Sequence, residues 1–280
     1  MQIAYITRPD GPVVAVRAAA DRPWTPAREL VEGCDGIGAV LTRRAELAAL
    51  LPDDAPVVDG TVVSCLDPGA TVVAAGLNFH SHVAELGAHV PTEPFCFPKL
   101  AGSVAPPDSE LPLPRSLSEE VDYEVELAVV VGATLRDATV DEALAAIGGY
   151  AVANDVSARN YQVVPNGWVD WVKAKGLDGF LPLGPVVTTA DDVPDLGARV
   201  LRCWVNGEQR QEAPVSDMIF SPAELVAYVS RGVTLRPGDV ILGGTPGGVG
   251  HSRTPPVYLA KGDEVVCAID GLGSIRTVMA

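Results

Sequence analysis

The chain has 280 residues, a length that fits one large domain or one large and one small domain. Hydrophobic residues make up 48% and charged residues 20%, which excludes an intrinsically disordered chain and allows a sizeable core. The formal net charge of −16 excludes nucleic acid as an expected partner, because an acidic surface repels phosphate backbones.

The sequence contains no recognisable targeting or membrane segment. Its start, MQIAYITRPDG, lacks the basic and apolar regions of a signal peptide, and no run of about 18 uncharged apolar residues occurs. Five scattered cysteines without a CxxC pair are typical of reduced, mostly buried thiols. We therefore expect a cytoplasmic protein with no membrane contact.

Residues 1–65 predict a small N-terminal α/β domain. The segments MQIAYI and PVVAVRA are typical of two strands joined by a turn at residues 9–11. TRRAELAALL, residues 42–51, then predicts a helix. The turn sequence Asp-Pro-Gly at 67–69 marks the expected boundary.

Residues 66–280 predict a strand-rich domain, so the expected class is α+β, mostly β. The strand segments are VVAAGLNF (72–79), VDYEVELAVVVG (121–132), GYAVANDVS (149–157), RVLRCWVNG (199–207) and DVILGG (239–244). DEALAAI (141–147) and SPAELVAYVSRG (221–232) predict helices, the second with Ser221 as N-cap and Pro222 in the first turn. Because helices and strands do not alternate regularly, a doubly wound sheet or a TIM barrel is disfavoured.

The segment VDYEVELAVVVG carries the most informative charges. In a strand, Glu124 and Glu126 share a face, and two unpaired carboxylates there would repel each other. A solvent-facing edge with basic neighbours and a bridging cation both explain them, and the apolar continuation favours the cation. Asp155, at the end of the next apolar run, would complete a three-carboxylate site for a hard cation such as Mg²⁺, Mn²⁺ or Ca²⁺.

Acid–base and basic residues occur in three other segments. His82 and Glu85 lie three residues apart in GLNFHSHVAELG, so on a short helix the carboxylate would orient the imidazole and raise its basicity. An exposed histidine with an incidental glutamate is the alternative. Lys99, Arg159, Lys175 and the polar Gln162 are either ordinary surface groups or together supply the positive potential that an anionic substrate needs in an acidic protein.

The loop GGTPGGVG, residues 243–250, lacks the spacing of nucleotide-binding glycine motifs. It is either a flexible turn or a loop whose backbone, around Gly244, comes close to a ligand. The residues alone leave both interpretations open.

Taken together, these stretches resemble the fumarylacetoacetate hydrolase family from about Ala74 to Val278. The resemblance is carried by the segments above together with PFCFPK, KAKGLDGFLPLGP, VNGEQRQ, LRPGDVILGGTPGGVG and LAKGDEVVCAIDGLG. It implies a mixed β-sandwich roll, a homodimer, and Mg²⁺ or Mn²⁺ on Glu124, Glu126 and Asp155. It also implies that His82 and Glu85 activate water.

The resemblance assigns the remaining site residues as well. Lys175 matches the family's active-site lysine, Arg159 and Gln162 match polar substrate contacts, and Thr245 matches a residue near the substrate carboxylate. The favoured activity is C–C bond hydrolysis in a 2,4-dioxo acid of the acylpyruvate or fumarylpyruvate type. Oxaloacetate-type decarboxylation, isomerisation or hydration of a dienoic diacid, and non-enzymatic binding of an oxo acid are the alternatives.

Overall fold

The computed structural model describes residues 1–51, 57–162 and 167–280. Its strands, numbered in chain order, are β1 (Gln2–Ile6), β2 (Val13–Arg17), β3 (Thr25–Pro26), β4 (Val62–Ser64), β5 (Val72–Gly76), β6 (Phe95–Pro98), β7 (Val104–Ala105), β8 (Asp108–Leu111), β9 (Val121–Asp122), β10 (Val125–Val131), β11 (Ile147–Asn154), β12 (Ser157–Ala158), β13 (Leu181–Thr189), β14 (Val200–Val205), β15 (Glu208–Pro214), β16 (Val240–Leu242), β17 (Glu264–Ile269) and β18 (Gly273–Met279). The α-helices are α1 (Ala27–Leu30), α2 (Ile37–Thr42), α3 (Arg44–Ala49), α4 (His80–Glu85), α5 (Val140–Ala146), α6 (Trp171–Lys175) and α7 (Pro222–Ser230). Single 3₁₀ turns occur at Ala101–Ser103, Arg159–Tyr161, Ala190–Asp192, Leu196–Ala198 and Val215–Asp217.

The described strands form two main sheets. An eleven-stranded sheet has the order β3-β2-β1-β13-β11-β10-β16-β5-β6, with β4 added beside β1 and β7 beside β13. A five-stranded sheet has the order β15-β14-β17-β18-β8, and β9 pairs separately with β12. Val152 of β11 and Leu201 of β14 belong to one hydrophobic cluster, so the two sheets share a core. The predicted α+β, mostly β class and the sandwich arrangement are confirmed.

Strand β10 is apolar on both faces because both faces are covered. Leu127 and Val129 pack in the cluster shared with the five-stranded sheet. Ala128 and Val130 pack in a second cluster, which includes Ile37 of helix α2. A strand enclosed in this way reads as a continuous hydrophobic run, so the carboxylate of Glu126 is carried into the interior.

The N-terminal hairpin forms as predicted, with β1 and β2 antiparallel and Gln2 opposite Arg17. The segment nevertheless does not stand apart, because Gln2 also pairs with Thr188 of β13. The N-terminal strands thus extend the large sheet, and the domain boundary near residue 65 stays a prediction. The helix predicted over residues 42–51 is α3, preceded by α2, which the sequence pattern did not indicate.

The two helices predicted in the main domain both form, and Ser221 caps the second as the sequence suggests. The Ser221 side chain accepts from the Glu224 N–H, and Glu224 in turn accepts from the Ser221 N–H, which is a capping box. Helix α5 begins with an equivalent box formed by Thr139 and Glu142. No helix in the described ranges is long and apolar enough to cross a membrane.

Candidate metal centre and active site

A cavity of about 290 Å³ lies beside β10, helices α4 and α6 and the Gly-rich loop that follows β16. Its lining combines acidic, basic and apolar side chains: Ala75, Gly76, Leu77, His82, Leu86, Phe95, Phe97, Glu124, Glu126, Arg159, Gln162, Trp171, Lys175, Thr245, Val249 and His251. Most of the predicted site residues are therefore brought to one place. Four predicted site residues do not line the cavity: Glu85, Lys99, Asp155 and Gly244. Each of them bonds a residue that lines it, and Lys99 does so through the backbone carbonyl of Lys175.

The three predicted metal-binding carboxylates converge. Glu124, Glu126 and Asp155 each offer one oxygen atom, and these atoms lie within 4.8 Å of one another. Strand pairing explains the convergence, because Val125 of β10 is opposite Asn154 of β11 and the flanking acids meet at that end of the ladder. The Asp155 N–H donates to the Glu124 carbonyl at 2.9 Å, which fixes the two backbones together.

The route by which Glu124 reaches the site differs from the sequence prediction. The strand predicted over residues 121–132 is interrupted at Tyr123 and Glu124, between β9 and β10. There the Glu124 N–H donates to the Asn154 Oδ1 at 3.0 Å instead of joining the ladder. Glu124 and Glu126 thus converge through a break in the strand rather than along an uninterrupted pleat.

Two cations neutralise Glu124. Lys175 Nζ lies 2.6 Å from Glu124 Oε2 and 2.6 Å from Asp155 Oδ2, and Arg159 Nη1 lies 2.7 Å from Glu124 Oε1. Burial by itself would raise the pKa of Glu124, but Lys175 and Arg159 outweigh it and lower that pKa. Burial would likewise lower the pKa of Lys175, and the two carboxylates raise it instead. These two shifts favour the charged forms of Glu124 and Lys175.

Lys99 occupies a different position from the one that a substrate contact requires. Its ammonium is fully buried and bonds Asp155 Oδ1 at 2.7 Å, the Phe180 carbonyl at 3.0 Å and the Lys175 carbonyl. Burial lowers the pKa of Lys99, and Asp155 opposes that shift. Lys99 therefore supports Asp155 from behind the cavity. Its side chain is not exposed to the cavity, so the predicted contact between Lys99 and the substrate is not formed.

Glu126 is the carboxylate without a cation of its own. Within the described residues, its recorded hydrogen bond comes from the Gly244 N–H, 2.9 Å from Oε2. Burial, followed by repulsion from Asp155 and Glu124, raises the pKa of Glu126 well above its ordinary value. A buried anion in this position is stable only when a cation balances it.

The charge balance of this buried cluster fits a divalent cation. Its carboxylates outnumber its cations by one, counting Asp122, Glu124, Glu126 and Asp155 against Lys99, Arg159 and Lys175. A divalent ion would turn that single negative charge into a single positive one, which suits an anionic substrate. The donors at the centre are all carboxylate oxygens, the ligands that Mg²⁺, Mn²⁺ and Ca²⁺ prefer.

Asp122 is a functional residue whose role the sequence did not reveal. Its fully buried carboxylate bonds Arg159 Nε at 2.9 Å and accepts the N–H groups of Gly250 at 2.8 Å and His251 at 2.9 Å. Asp122 thus fixes both the guanidinium and the Gly-rich loop. In the sequence, Asp122 is one more carboxylate two residues before Glu124, and strand spacing alone gives it no separate role.

Helix α4 presents the predicted base. His82 Nδ1 lies 2.6 Å from Glu85 Oε1, and Glu85 Oε2 accepts the Gly248 N–H at 2.8 Å. A carboxylate bonded to Nδ1 favours the tautomer that leaves Nε2 unprotonated and available to the cavity. The helix is held in place by Asp217, which accepts from both the N–H and the hydroxyl of Ser81.

Thr245, which follows Gly244 in the Gly-rich loop, is held by a glutamine that the prediction did not include. Gln211, almost fully buried, donates to Thr245 Oγ1 at 2.8 Å and accepts the Val125 N–H at 3.0 Å. Thr245 itself donates to the Val125 carbonyl at 3.0 Å. The preceding Gly244 has φ +86°, and a Cβ there would lie 2.9 Å from Asn78 Cβ, so this position requires glycine.

An aromatic wall faces the charged groups. It consists of Phe95 and Phe97 from β6 and Trp171 from α6, and the Phe97 and Trp171 rings stack with centroids 4.5 Å apart. Phe95 packs against Trp171 with centroids 5.4 Å apart, and Leu86 also lines the cavity. This wall offers shape and mainly apolar contact.

The match to known proteins agrees with this geometry. Residues 71–280 match the family model for the C-terminal domain of fumarylacetoacetate (FAA) hydrolase. The chain belongs to the fumarylacetoacetate hydrolase family. It is 44% identical over 243 residues to human mitochondrial oxaloacetate tautomerase FAHD2A, an alignment that covers 86% of this chain and 76% of that protein.

Two solved structures of this family extend the comparison. The fumarylacetoacetate hydrolase of Exiguobacterium antarcticum is 32% identical with a TM-score of 0.86, and the alignment covers 100% of this chain and 99% of that one. The fumarylpyruvate hydrolase of Pseudomonas aeruginosa, solved with Mn²⁺ and pyruvate, is 31% identical with a TM-score of 0.68, over 79% of this chain and 91% of that one. Relatives in this family thus include a tautomerase and hydrolases of oxo acids.

Proposed function

We propose that this chain is a divalent-metal-dependent enzyme that forms the enolate of a small 2-oxo acid, with keto–enol tautomerisation of oxaloacetate as its reaction. The observation that carries the proposal is that His82, which bonds Glu85, lines the same cavity as two of the three clustered carboxylates, Glu124 and Glu126. The 44% identity to a protein named oxaloacetate tautomerase supports the choice of substrate.

The carboxylates Glu124, Glu126 and Asp155 would hold Mg²⁺ or Mn²⁺, with Ca²⁺ as a further fit to the same donors. When bound, the ion would supply Lewis-acid stabilisation of negative charge on the substrate oxygens. The Mn²⁺ and pyruvate in the complex of the fumarylpyruvate hydrolase support this assignment. Lys175, whose ammonium bridges Glu124 and Asp155, keeps those two side chains in place.

The proton transfers are assigned to His82. Its Nε2 accepts a proton from the carbon beside the keto group, and the electron pair moves to the keto oxygen. The imidazolium, stabilised by Glu85, then returns the proton to that oxygen, so the keto form becomes the enol with no net loss of atoms. Arg159, whose guanidinium lies against Glu124 beside the cavity, would attract the substrate's carboxylate electrostatically.

Hydrolysis of a 2,4-dioxo acid, the activity favoured by the sequence, is the second candidate. The same His82 would then deprotonate a water molecule that attacks the distal carbonyl, and the departing fragment would again be an enolate. The similarity to fumarylpyruvate hydrolase favours this alternative. Decarboxylation, isomerisation and hydration share the enolate step and remain predictions of lower rank. The homodimer and the cytoplasmic location also remain predictions.

The test compares the three reactions in one metal-loaded preparation. Oxaloacetate tautomerisation is followed by the ultraviolet absorbance of the enol, beside pyruvate release from acetylpyruvate and from oxaloacetate. We expect tautomerisation to be fastest and His82→Asn to slow it by about 100-fold or more, since general acid–base catalysis contributes on that scale. The exposed His89 supplies the control, His89→Asn, which should keep full activity. Tautomerisation no faster than in buffer would reject the proposal, and faster acetylpyruvate cleavage would establish the second candidate.

A further inference from the structure

His251 is a cavity residue to which neither the motifs nor the mechanism above assign a role. It lies at the end of the Gly-rich loop, and its side chain lines the same cavity as His82 and Glu126. Its position is fixed twice, because its N–H donates to Asp122 Oδ2 at 2.9 Å and its Nδ1 lies 2.9 Å from the Tyr258 hydroxyl. A ring held at both the backbone and Nδ1 is pre-organised to present its remaining nitrogen.

The other basic groups of the cavity are already engaged. Lys175 is bonded to Glu124 and Asp155. Arg159 places Nη1 against Glu124 and directs Nε to Asp122. His82 is bonded through Nδ1 to Glu85 and serves as the base. Among the basic side chains that line the cavity in the described ranges, His251 is therefore the one whose outward nitrogen has neither a bonded carboxylate nor a catalytic task.

The Tyr258 hydroxyl has two acceptors beside it, His251 Nδ1 at 2.9 Å and the Glu120 carboxylate. When the hydroxyl donates to Nδ1, the neutral His251 ring carries its proton on Nε2. An imidazolium would also donate from Nε2. Asp122 Oδ2 accepts from both Arg159 Nε and the His251 N–H, so the His251 backbone lies close to the guanidinium. The His251 ring lines the same cavity as Arg159.

We infer that His251 Nε2 donates a hydrogen bond to the distal carboxylate of the substrate, so that His251 selects dicarboxylic 2-oxo acids over monocarboxylic ones. The inference rests on the proposed function only in taking a 2-oxo acid as the ligand. Its oxo-acid end would lie at Glu124, Glu126 and Asp155, and its far end would be read by His251. Tyr258 acts as a positioning residue, because it touches the substrate only through the imidazole.

The test measures binding rather than turnover. The Mn²⁺-loaded protein is titrated calorimetrically with 2-oxoglutarate and with 2-oxopentanoate, which share a five-carbon chain and differ in the terminal carboxylate. We expect the wild type to prefer the diacid, and His251→Leu to weaken diacid binding by about tenfold, the scale of a lost hydrogen bond to a charged group. Binding of the monoacid should change less than about twofold, because it makes no such bond.

Three further variants separate recognition from structural damage. His251→Gln keeps a side-chain N–H donor and should restore part of the preference, whereas Tyr258→Phe should reduce it without affecting monoacid binding. The control His89→Leu removes an exposed histidine and should change neither affinity. A wild type without a preference for the diacid, or an undiminished preference in His251→Leu, overturns the inference. These titrations measure binding and do not depend on turnover. A failure to turn over oxaloacetate would therefore reject the proposed function, while the role of His251 in binding the diacid could still be tested.

Discussion

The cavity has two sides that are built by different forces. The carboxylates and cations of one side are fixed by short charged contacts, such as the 2.6 Å contact of Lys175 Nζ with Glu124. The aromatic wall of Phe95, Phe97 and Trp171 is held mainly by ring packing, at centroid distances of 4.5–6.2 Å. It meets the charged side where Lys175 Nζ lies 5.5 Å from the Phe97 ring centroid. Removing one charged side chain leaves the charge of its partner uncompensated, whereas removing an aromatic ring leaves an empty space in the wall.

This difference indicates a division of tasks. Charged contacts in a buried site tolerate little displacement, so the charged side is suited to hold a cation and a base at fixed positions. Apolar packing tolerates a range of shapes, so the aromatic wall is suited to determine which substrate tail fits. Variants on the charged side should alter stability or catalysis strongly, and variants of the wall should mainly alter KM.

The largest expected effect is on stability, from Lys99→Met. The ammonium of Lys99 is fully buried against Asp155 and two carbonyl groups, which the variant leaves without their donor. Breaking a buried ion pair costs about 3–5 kcal/mol, and we expect a loss of that size in the free energy of unfolding. Urea denaturation measures it. Lys173→Met, which removes a half-exposed lysine of helix α6, is the control and should cost about 0.5 kcal/mol or less. Equal losses in the two variants would contradict the assignment of Lys99.

Glu126→Gln should separate function from stability. The amide keeps an acceptor for the Gly244 N–H but removes the carboxylate that has no cation partner of its own. We expect Mn²⁺ affinity, measured by calorimetry, to fall by more than about 100-fold, since altering even the groups behind metal ligands costs 10–100-fold. At pH 7 the metal-free variant should unfold at a higher temperature than the metal-free wild type, because burial raises the pKa of Glu126 and the wild-type carboxyl must take up a proton, or bury its charge, on folding. Unchanged Mn²⁺ affinity would remove Glu126 from the metal site.

The sequence predicted the members of the charged side better than their contacts. Glu124 and Glu126 were predicted from their alternation along a strand, and Asp155 from its place at the end of an apolar run; both signals are local. The contacts of Lys99 with Asp155 and of Gln211 with Thr245 join residues far apart in the chain, and no periodicity encodes such pairs. Lys99 was therefore assigned to substrate, and Gln211 appeared only within a matched segment.

The fold shows the same division between local and long-range information. The N-terminal hairpin and the capped helices α5 and α7 were predicted because their signals lie within a few residues. The pairing of Gln2 with Thr188, which makes the N-terminal strands part of the large sheet, depends on a contact that sequence patterns do not specify. His251 escaped notice for the same reason, since its bond to Tyr258 and its place in the cavity arise only in three dimensions.

Trp171→Ala tests the aromatic wall. Trp171 stacks on Phe97, packs against Phe95 and lines the cavity, while the carboxylates and His82 are bonded to other residues. We expect KM for an oxo acid to rise by about tenfold and kcat to change by less than about threefold. The ring would contribute equally to binding of the substrate and of the transition state, and His82 stays in place. Steady-state kinetics with the metal-loaded enzyme gives both values. A collapse of kcat with unchanged KM would show that the wall contributes to the chemical step.

The smallest expected effect comes from Cys96, which lies between the two wall phenylalanines on β6 and points away from the cavity. Its thiol packs beside Val73 and Tyr228 on the other face of the strand, and burial raises its pKa to about 11. Because the thiolate is the reactive form, N-ethylmaleimide at pH 7.5 should modify Cys96 more slowly than a free thiol of ordinary pKa. Cys96→Ala should leave KM within about twofold of the wild type, in contrast to Phe95→Ala, which removes a ring from the cavity. Equal changes in KM for these adjacent residues would mean that the strand's packing, and not the exposed ring surface, determines substrate fit.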